Sequence, residues 1–252
     1  MNTPHLRPQP RSFRSAFAVI LGTNEIASAV AVYMHRAGWC TLLSHDPFPP
    51  VIRRRMAFHN ALFGEKADVD GLPGVNAKTT FEAATLLAGG GCVVVTRLGL
   101  LDLIPMSAIH ILVDARMHKR EGIADLRHLA SLTVGVGPGF AVDMNCDVAI
   151  ETHPSKNGTI LYIGRTDACD SKARPLGGVG VQRFVYSEKK GRWNSAFPIG
   201  AHISKGFPAG FLNGAPVLAP LDGLLRRPSR RGVVQPLFAS HKIGRVDPRS
   251  FE

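Results

Sequence analysis

No apolar run in this 252-residue chain approaches the roughly 18 residues that cross a bilayer. A helical membrane anchor is therefore not expected. The N-terminal stretch MNTPHLRPQPRSFRS lacks the apolar segment of a secretory signal. It is rich in Pro and Arg, has no acid, and reads as a flexible basic tail over residues 1–15. The four cysteines (Cys40, Cys92, Cys146 and Cys169) form no CxxC pair. That argues against a disulfide framework and favours buried thiols in a reducing cytoplasm. The ten histidines show neither HxH nor HExxH spacing, so no metal site is expected, and His45 and His153 read as packing or surface residues. Aromatics make up only 7% of the chain and are not interleaved with the basic residues. No nucleic-acid motif is present, so a nucleic-acid partner is not expected.

Acids are scarce: 19 Asp and Glu against 30 Lys and Arg, a formal charge of +11. The excess is uneven. Residues 1–150 hold 14 basic and 12 acidic side chains, whereas residues 151–252 hold 16 and 7. A basic half suits an acidic partner or a phosphate-bearing ligand, although a solvated basic surface gives the same count.

Hydrophobic residues supply 45% of the chain, enough for a sizeable core. Residues 17–46 run from an apolar strand (FAVIL) through a turn and a helical stretch to a second strand (CTLLSHD) ending at Asp46. Ile26, Val30, Tyr33 and Met34 fall at helical spacing, and Gly38 marks the helix stop. TTFEAATLLAGG then reads as a helix, and CVVVT, IHILVDA and LTVGV as strands. Strands alternating with helices predict a mostly parallel sheet, a Rossmann-like domain over residues 16–150 with helices on both faces.

The dinucleotide fingerprint of such folds is G-x-G-x-x-G/A. Here it reads Gly22-Thr23-Asn24-Glu25-Ile26-Ala27. Gly22 serves the tight turn and Ala27 the close helix–strand contact. Asn24 stands where a pyrophosphate needs bare backbone, and Glu25 adds charge that competes with phosphate at the helix start. Asp46 lies where a ribose-binding acid belongs. The loop is thus either a nucleotide site or a relic of one.

Three further features carry ligand chemistry. Arg53, Arg54 and Arg55 follow the second strand; two of them can clamp phosphate or carboxylate oxygens, or the run is a solvated helix start. Gly135, Gly137 and Gly139 in VGVGPGF make either an anion-binding nest or a sharp turn. Lys119 and Arg120 follow a strand, at the edge where open α/β sheets hold ligands. Cys169, in the polar stretch GRTDACDSKARP, is a candidate sulfur-carrying thiol, with no base beside it in the sequence.

Beyond Gly177 the pattern changes to short segments rich in Gly and Pro, as in an all-β module. RFVYSEKKGRWNSAFPIGAHISKG, which starts at Arg183, recurs as APVLAPLDGLLRRPSRRGVVQPLF, which starts at Ala215. Val185 aligns with Val217, Gly191 with Gly223 and Gly200 with Gly232. Two copies of strand–turn–strand predict a pseudo-two-fold β-sandwich over residues 151–252. GAHISKG and APLDG are similar to the half-motifs of biotinyl and lipoyl domains, a barrel-sandwich-hybrid-like architecture. Those domains carry a modified lysine on the hairpin between the halves. The corresponding segment, Gly206 to Val217, contains no lysine, so neither biotin nor lipoate is expected. Arg226, Arg227, Arg230 and Arg231 cluster in one loop that suits an acidic partner or a phosphate.

GTNEIASAVAVYMHRAG, PPVIRRRMAF, ILVDARMHKR, LTVGVGPGFAVDMNCDVAIET, PLGGVG, PVLAPLDGLLR and HKIGRVDPR occur in order from about residue 17 to 249. As a set they resemble a bacterial family of molybdenum-hydroxylase accessory proteins. That family is associated with selenium-dependent molybdenum hydroxylases and is related to the xanthine dehydrogenase accessory proteins. The resemblance implies an accessory or binding protein rather than an enzyme. It would mature a molybdenum-hydroxylase-type client and handle molybdenum cofactor or a nucleotide. It supplies no catalytic residue. The family usually shows Gly-Asp where this chain has Asn24-Glu25. The site candidates are accordingly Gly22, Asn24, Asp46, Arg53, Arg54, Gly137 and Gly139. An NAD(P)-dependent oxidoreductase and a non-catalytic scaffold subunit remain the competing readings.

Overall fold

The computed structural model describes residues 16–45, 54–118, 122–169, 175–186, 191–195, 197–198, 200–225, 235–237 and 242–247. The chain separates into two compact units, residues 1–169 and 170–252. Together they make a mixed α/β protein.

The first unit is built on a nine-stranded, mostly parallel sheet. Its strands are β1 (Phe17–Leu21), β2 (Cys40–Ser44), β3 (Ala67–Val69), β4 (Leu72–Ala77), β5 (Val93–Thr96), β6 (Ile111–Asp114), β7 (Leu132–Val136), β8 (Val148–Ile150) and β9 (Ile160–Leu161). They lie in the order β3-β4-β5-β2-β1-β6-β7-β8-β9. The six strands from β5 to β8 repeat the 3-2-1-4-5-6 order of doubly wound sheets, with the order reversing between β1 and β6. Among the described residues only the end pairs of this sheet, β3 with β4 and β8 with β9, are antiparallel.

Side chains alternate across the sheet because successive Cβ atoms point to opposite faces. Ile20, Leu43, Val95 and Val113 pack on one face with helix α1 (Glu25–Arg36) and the 3-10 turn Phe58–Phe63. Val19, Leu42, Val94 and Leu112 pack on the other, under Ala83 and Leu87 of helix α2 (Thr80–Gly89).

Val30 and Met34 pack against the core as their spacing predicts, but helix α1 is rotated from the sequence reading at the other two positions. Ala27, Ser28, Ala31 and Val32 are buried, while Tyr33 and Ile26 are exposed. Small residues at 27 and 31 let the helix approach β1 closely, and that contact sets the helix phase. The expected helices on both faces are also incomplete. A third helix, α3 (Leu100–Leu103), has one turn, and neither the β6–β7 nor the β7–β8 connection holds a helix among its described residues. Turn-forming Gly, Pro, Asp and Asn punctuate residues 137–147 too densely for one.

The unit also runs past the expected limit at residue 150. The β8–β9 pairing adds residues 160–161 to the sheet. Buried Glu151 accepts the backbone N–H groups of Thr152, His153 and Asp167 at 2.6–2.7 Å, holding the chain as far as Asp167.

Among its described residues the second unit has eight short strands: β10 (Phe184–Tyr186), β11 (Gly191–Ser195), β12 (His202–Ile203), β13 (Pro208–Leu212), β14 (Ala215–Leu218), β15 (Gly223–Leu225), β16 (Gln235–Leu237) and β17 (Lys242–Asp247). They form two four-stranded antiparallel sheets, β10-β17-β15-β12 and β14-β13-β11-β16. Advancing each strand cyclically by four converts the first order into the second. That step carries β10 to β14 and β11 to β15, close to the offset of the sequence repeat. The sequence repeat is therefore a repeat of topology. Its two halves meet at the β13–β14 hairpin, where Asn213 (φ 52°) and Gly214 (φ 83°) form a two-residue turn. Both central residues need positive φ, which Asn-Gly supplies at little cost.

Candidate functional site

In open α/β sheets ligands bind outside the carboxyl ends of the strands, at the point where strand order reverses. Here that point lies between the β1–α1 turn and the residues that follow β6. Gly22 begins the turn with φ 114° and donates its N–H to the Ser44 carbonyl at 2.9 Å. A Cβ on Gly22 would lie 3.0–3.3 Å from the Ala115 carbonyl and the Arg116 Cα. The glycine thus serves a backbone-to-backbone contact across the switch point.

Asn24 closes the same crevice. It is the N-cap of α1, and its Oδ1 accepts the N–H groups of Ile26 (2.9 Å) and Ala27 (3.0 Å). Its Nδ2 donates to the Ala115 carbonyl at 2.7 Å. The residue is 2% exposed, so both ends of its side chain are engaged inside the protein. In a dinucleotide site those helix N–H groups would face pyrophosphate oxygens. Here a side-chain amide takes that place.

Past β6, buried Asp114 is held by Arg116. Nε donates to Oδ1 at 2.9 Å and Nη2 to Oδ2 at 2.6 Å, and the Arg116 backbone N–H also reaches Oδ1. The sequence signal for this pair is the i, i+2 spacing of acid and arginine at a strand end, which motif reading passes over in favour of Lys119 and Arg120. Those two residues lie outside the described part.

The glycine turn after β7 is closely packed. Gly137 donates its N–H to the Ile150 carbonyl at 3.0 Å, Pro138 has no N–H, and Phe140 donates to Thr166 Oγ1 at 3.0 Å. Gly137 (φ 112°) and Gly139 (φ 89°) adopt backbone that favours glycine. A Cβ on Gly137 would meet Met117 Sδ at 2.8 Å, and one on Gly135 would fall within the Phe140 ring. These contacts explain the glycines without an anion, and few donors are left to make a nest.

On the other side of β1 the same edge carries a polar cluster. Thr23 Oγ1 lies 2.9 Å from Nδ1 of buried His59. The His59 ring lies 5.6 Å from that of His45 and 5.4 Å edge-on from that of Phe63, and the Arg97 guanidinium stands 5.0 Å over the Phe63 ring. Sequence patterning makes His45 a packing or surface residue and does not single out His59 or Arg97, because residues from three connections meet only once the sheet is formed.

Of the remaining candidates, Asp46 and Arg53 lie outside the described residues. Arg54 opens a short 3-10 turn, and its side chain lies outside the described part. Cys169 is half-buried at the end of the first unit. Cys146 is 1% exposed, and burial pushes its thiol up to about 11 from a reference of 9.0. The folded state therefore keeps a proton that the unfolded chain gives up. Stability should be intact below pH 9 and fall as pH rises toward 11. Thiol labelling at pH 8 should accordingly modify Cys146 last of the four. Labelling of Cys146 in the folded protein as fast as that of Cys169 would refute this.

The chain is a mixed α/β protein with a mostly parallel sheet, and the Asn24 side chain caps helix α1 at the switch point of that sheet. No protein-family model matches the chain. It is 27% identical over 234 residues to "Uncharacterized protein YqeB" of Escherichia coli (strain K12), an alignment covering 92% of this chain. The chain spans 42% of the length of that relative. Among the described residues no helix is long and apolar enough to cross a membrane, and no group of three or more His, Cys, Asp or Glu could hold a metal ion.

Proposed function

We propose that this protein is an accessory factor in the maturation of a molybdenum-cofactor enzyme, binding a phosphate-bearing ligand without using a redox dinucleotide. One observation carries the non-redox part: the Asn24 amide occupies the helix N-terminus and bridges to Ala115, where a dinucleotide would need open backbone. The maturation role is supported by the ordered motifs that resemble the accessory family. In this reading the first unit is a Rossmann-like domain. Its ligand lies on the Arg53/Arg54 side, since few donors remain at the Gly137–Gly139 turn. The second unit is a barrel-sandwich-hybrid-like domain that docks the client. Its central hairpin presents Asn213-Gly214 where a carrier domain presents its lysine. A cytoplasmic location belongs to the same proposal, and four cysteines that form no disulfide suit a reducing compartment.

The test is calorimetric titration of the full chain with NADP and with molybdopterin nucleotide. Three proteins are compared: wild type, Asn24→Gly/Glu25→Asp and Arg53→Ala/Arg54→Ala. Wild type should bind the molybdopterin nucleotide and show no saturable NADP binding up to millimolar concentration. The double arginine change should weaken the molybdopterin nucleotide at least tenfold. Micromolar NADP binding by wild type, untouched by the arginine changes, would reject the proposal in favour of an NAD(P)-dependent oxidoreductase.

A further inference from the structure

With the crevice between β1 and β6 bridged by Asn24, a ligand at this sheet edge must sit to one side of it. The side toward β2 and β5 carries a cluster of polar side chains. Thr23 follows β1, His45 follows β2 and Arg97 follows β5, so three neighbouring strands each deliver one polar residue to the same edge. The 3-10 turn Phe58–Phe63 adds His59 and Phe63.

Each residue is held by its surroundings. The His45 backbone N–H donates to the Thr96 carbonyl at 2.8 Å. Arg97 sits in a pinned loop: the Leu98 N–H reaches Thr96 Oγ1 at 3.1 Å, and Ser44 Oγ donates to the Leu98 carbonyl at 2.7 Å. Phe58 anchors the 3-10 turn. It is fully buried, its ring packs where a Cβ on Gly74 would stand, and its N–H donates to Ser28 Oγ on α1 at 3.0 Å.

We propose that Arg97, His45 and His59 form a recognition site for a phosphoryl group, with Thr23 orienting His59. The site deepens the function proposed above by adding phosphate-binding residues to Arg53 and Arg54, and it rests on that reading only for the class of ligand. Two physical arguments carry it. The Thr23–His59 pair is buried at 0% and 5% exposure, and burying polar groups in a core costs free energy that an apolar pair would avoid. The Arg97 guanidinium stands 5.0 Å over the Phe63 ring at an exposed position, and its planar fork of N–H donors matches phosphate oxygens. Glu25, in the first turn of α1, disfavours an anion at that helix end and so biases it toward Arg97.

Titration of the full chain with inorganic pyrophosphate tests the site. Arg97→Gln, at an exposed position, should weaken pyrophosphate at least tenfold without moving the melting temperature. His59→Asn should do the same if its fold is intact by circular dichroism. Arg36→Gln removes an equal charge at the far end of α1 and should change affinity less than twofold. An unaffected Arg97→Gln protein, an equal loss in Arg36→Gln, or no pyrophosphate binding by wild type at millimolar concentration each overturns the site. So does stoichiometric zinc that His59→Asn removes, which would make the cluster a metal centre. NADP titration is read separately. It reports on the Asn24 crevice and the non-redox reading, whereas the pyrophosphate series reports on Arg97 and His59.

Discussion

Replacing Asn24 by alanine is expected to destabilise the first unit by about 2–4 kcal/mol, because one side chain does two jobs. Loss of an N-cap costs about 1 kcal/mol. Loss of the Nδ2–H bond strips a partner from the Ala115 carbonyl in a fully buried residue, at a cost of about 1–3 kcal/mol. For a unit of this size that is a fall in melting temperature of roughly 5–15 °C. Asn24→Asp separates the two jobs. A carboxylate caps the helix as well as an amide does, but it cannot donate to Ala115 and sets negative charge against a carbonyl. Asn24→Gly keeps most of the capping propensity and loses only the clasp. Denaturant unfolding of the ligand-free protein ranks the three. A loss for Asn24→Ala below about 0.5 kcal/mol, the size typical of surface substitutions, would mean that Asn24 faces a ligand rather than the fold.

The same residue marks how far the sequence can be read. The strand–helix alternation announces the parallel sheet, and its six central strands carry the dinucleotide-fold order. Asn24 is legible as a departure from the fingerprint, and its position implies an obstructed site. Its bond to Ala115 is not legible, since the partner lies far along the chain and only the β1–β6 pairing brings it near. Helical spacing puts Ile26 and Tyr33 on the apolar face of α1, yet the close approach to β1 selects Ala27 and Ala31. The Asp70-Gly71 turn between β3 and β4 is a usable hairpin signal that the strand–helix pattern obscures.

The second unit is more legible than the first. A repeat at a fixed offset constrains topology directly, since each strand must recur in an equivalent place. Gly191 and Gly223 open β11 and β15, which occupy matching positions in their sheets. Val185 and Val217 pack in one cluster with Trp193 and Leu212. The first unit's polar cluster has no such regularity. Thr23, His45, His59 and Arg97 come from three separate connections, and no spacing rule links them.

The largest local effect is expected at Gly135, and it decides what the VGVGPGF segment is for. Gly135 lies within β7, and an added Cβ would coincide with the Phe140 ring. That ring cannot swing aside easily. It is 4% exposed and packed with Val142, Cys146 and Ala149, while its backbone exchanges hydrogen bonds with Thr166. Overpacking a rigid ring costs up to about 3 kcal/mol, so Gly135→Ala should lose about that much stability. Phe140→Ala alone leaves a cavity and should cost about 3–5 kcal/mol. In the double variant the new methyl enters the space the ring vacated, so the total should be no larger than for Phe140→Ala alone. The coupling between the sites should then be about 2–3 kcal/mol of rescue, far outside the additivity seen for independent positions. If the glycines instead form a nest for an anion, removing Phe140 restores nothing, and the two losses add. Urea unfolding of the four proteins in the cycle distinguishes the cases, and simple additivity would favour the turn as a ligand site.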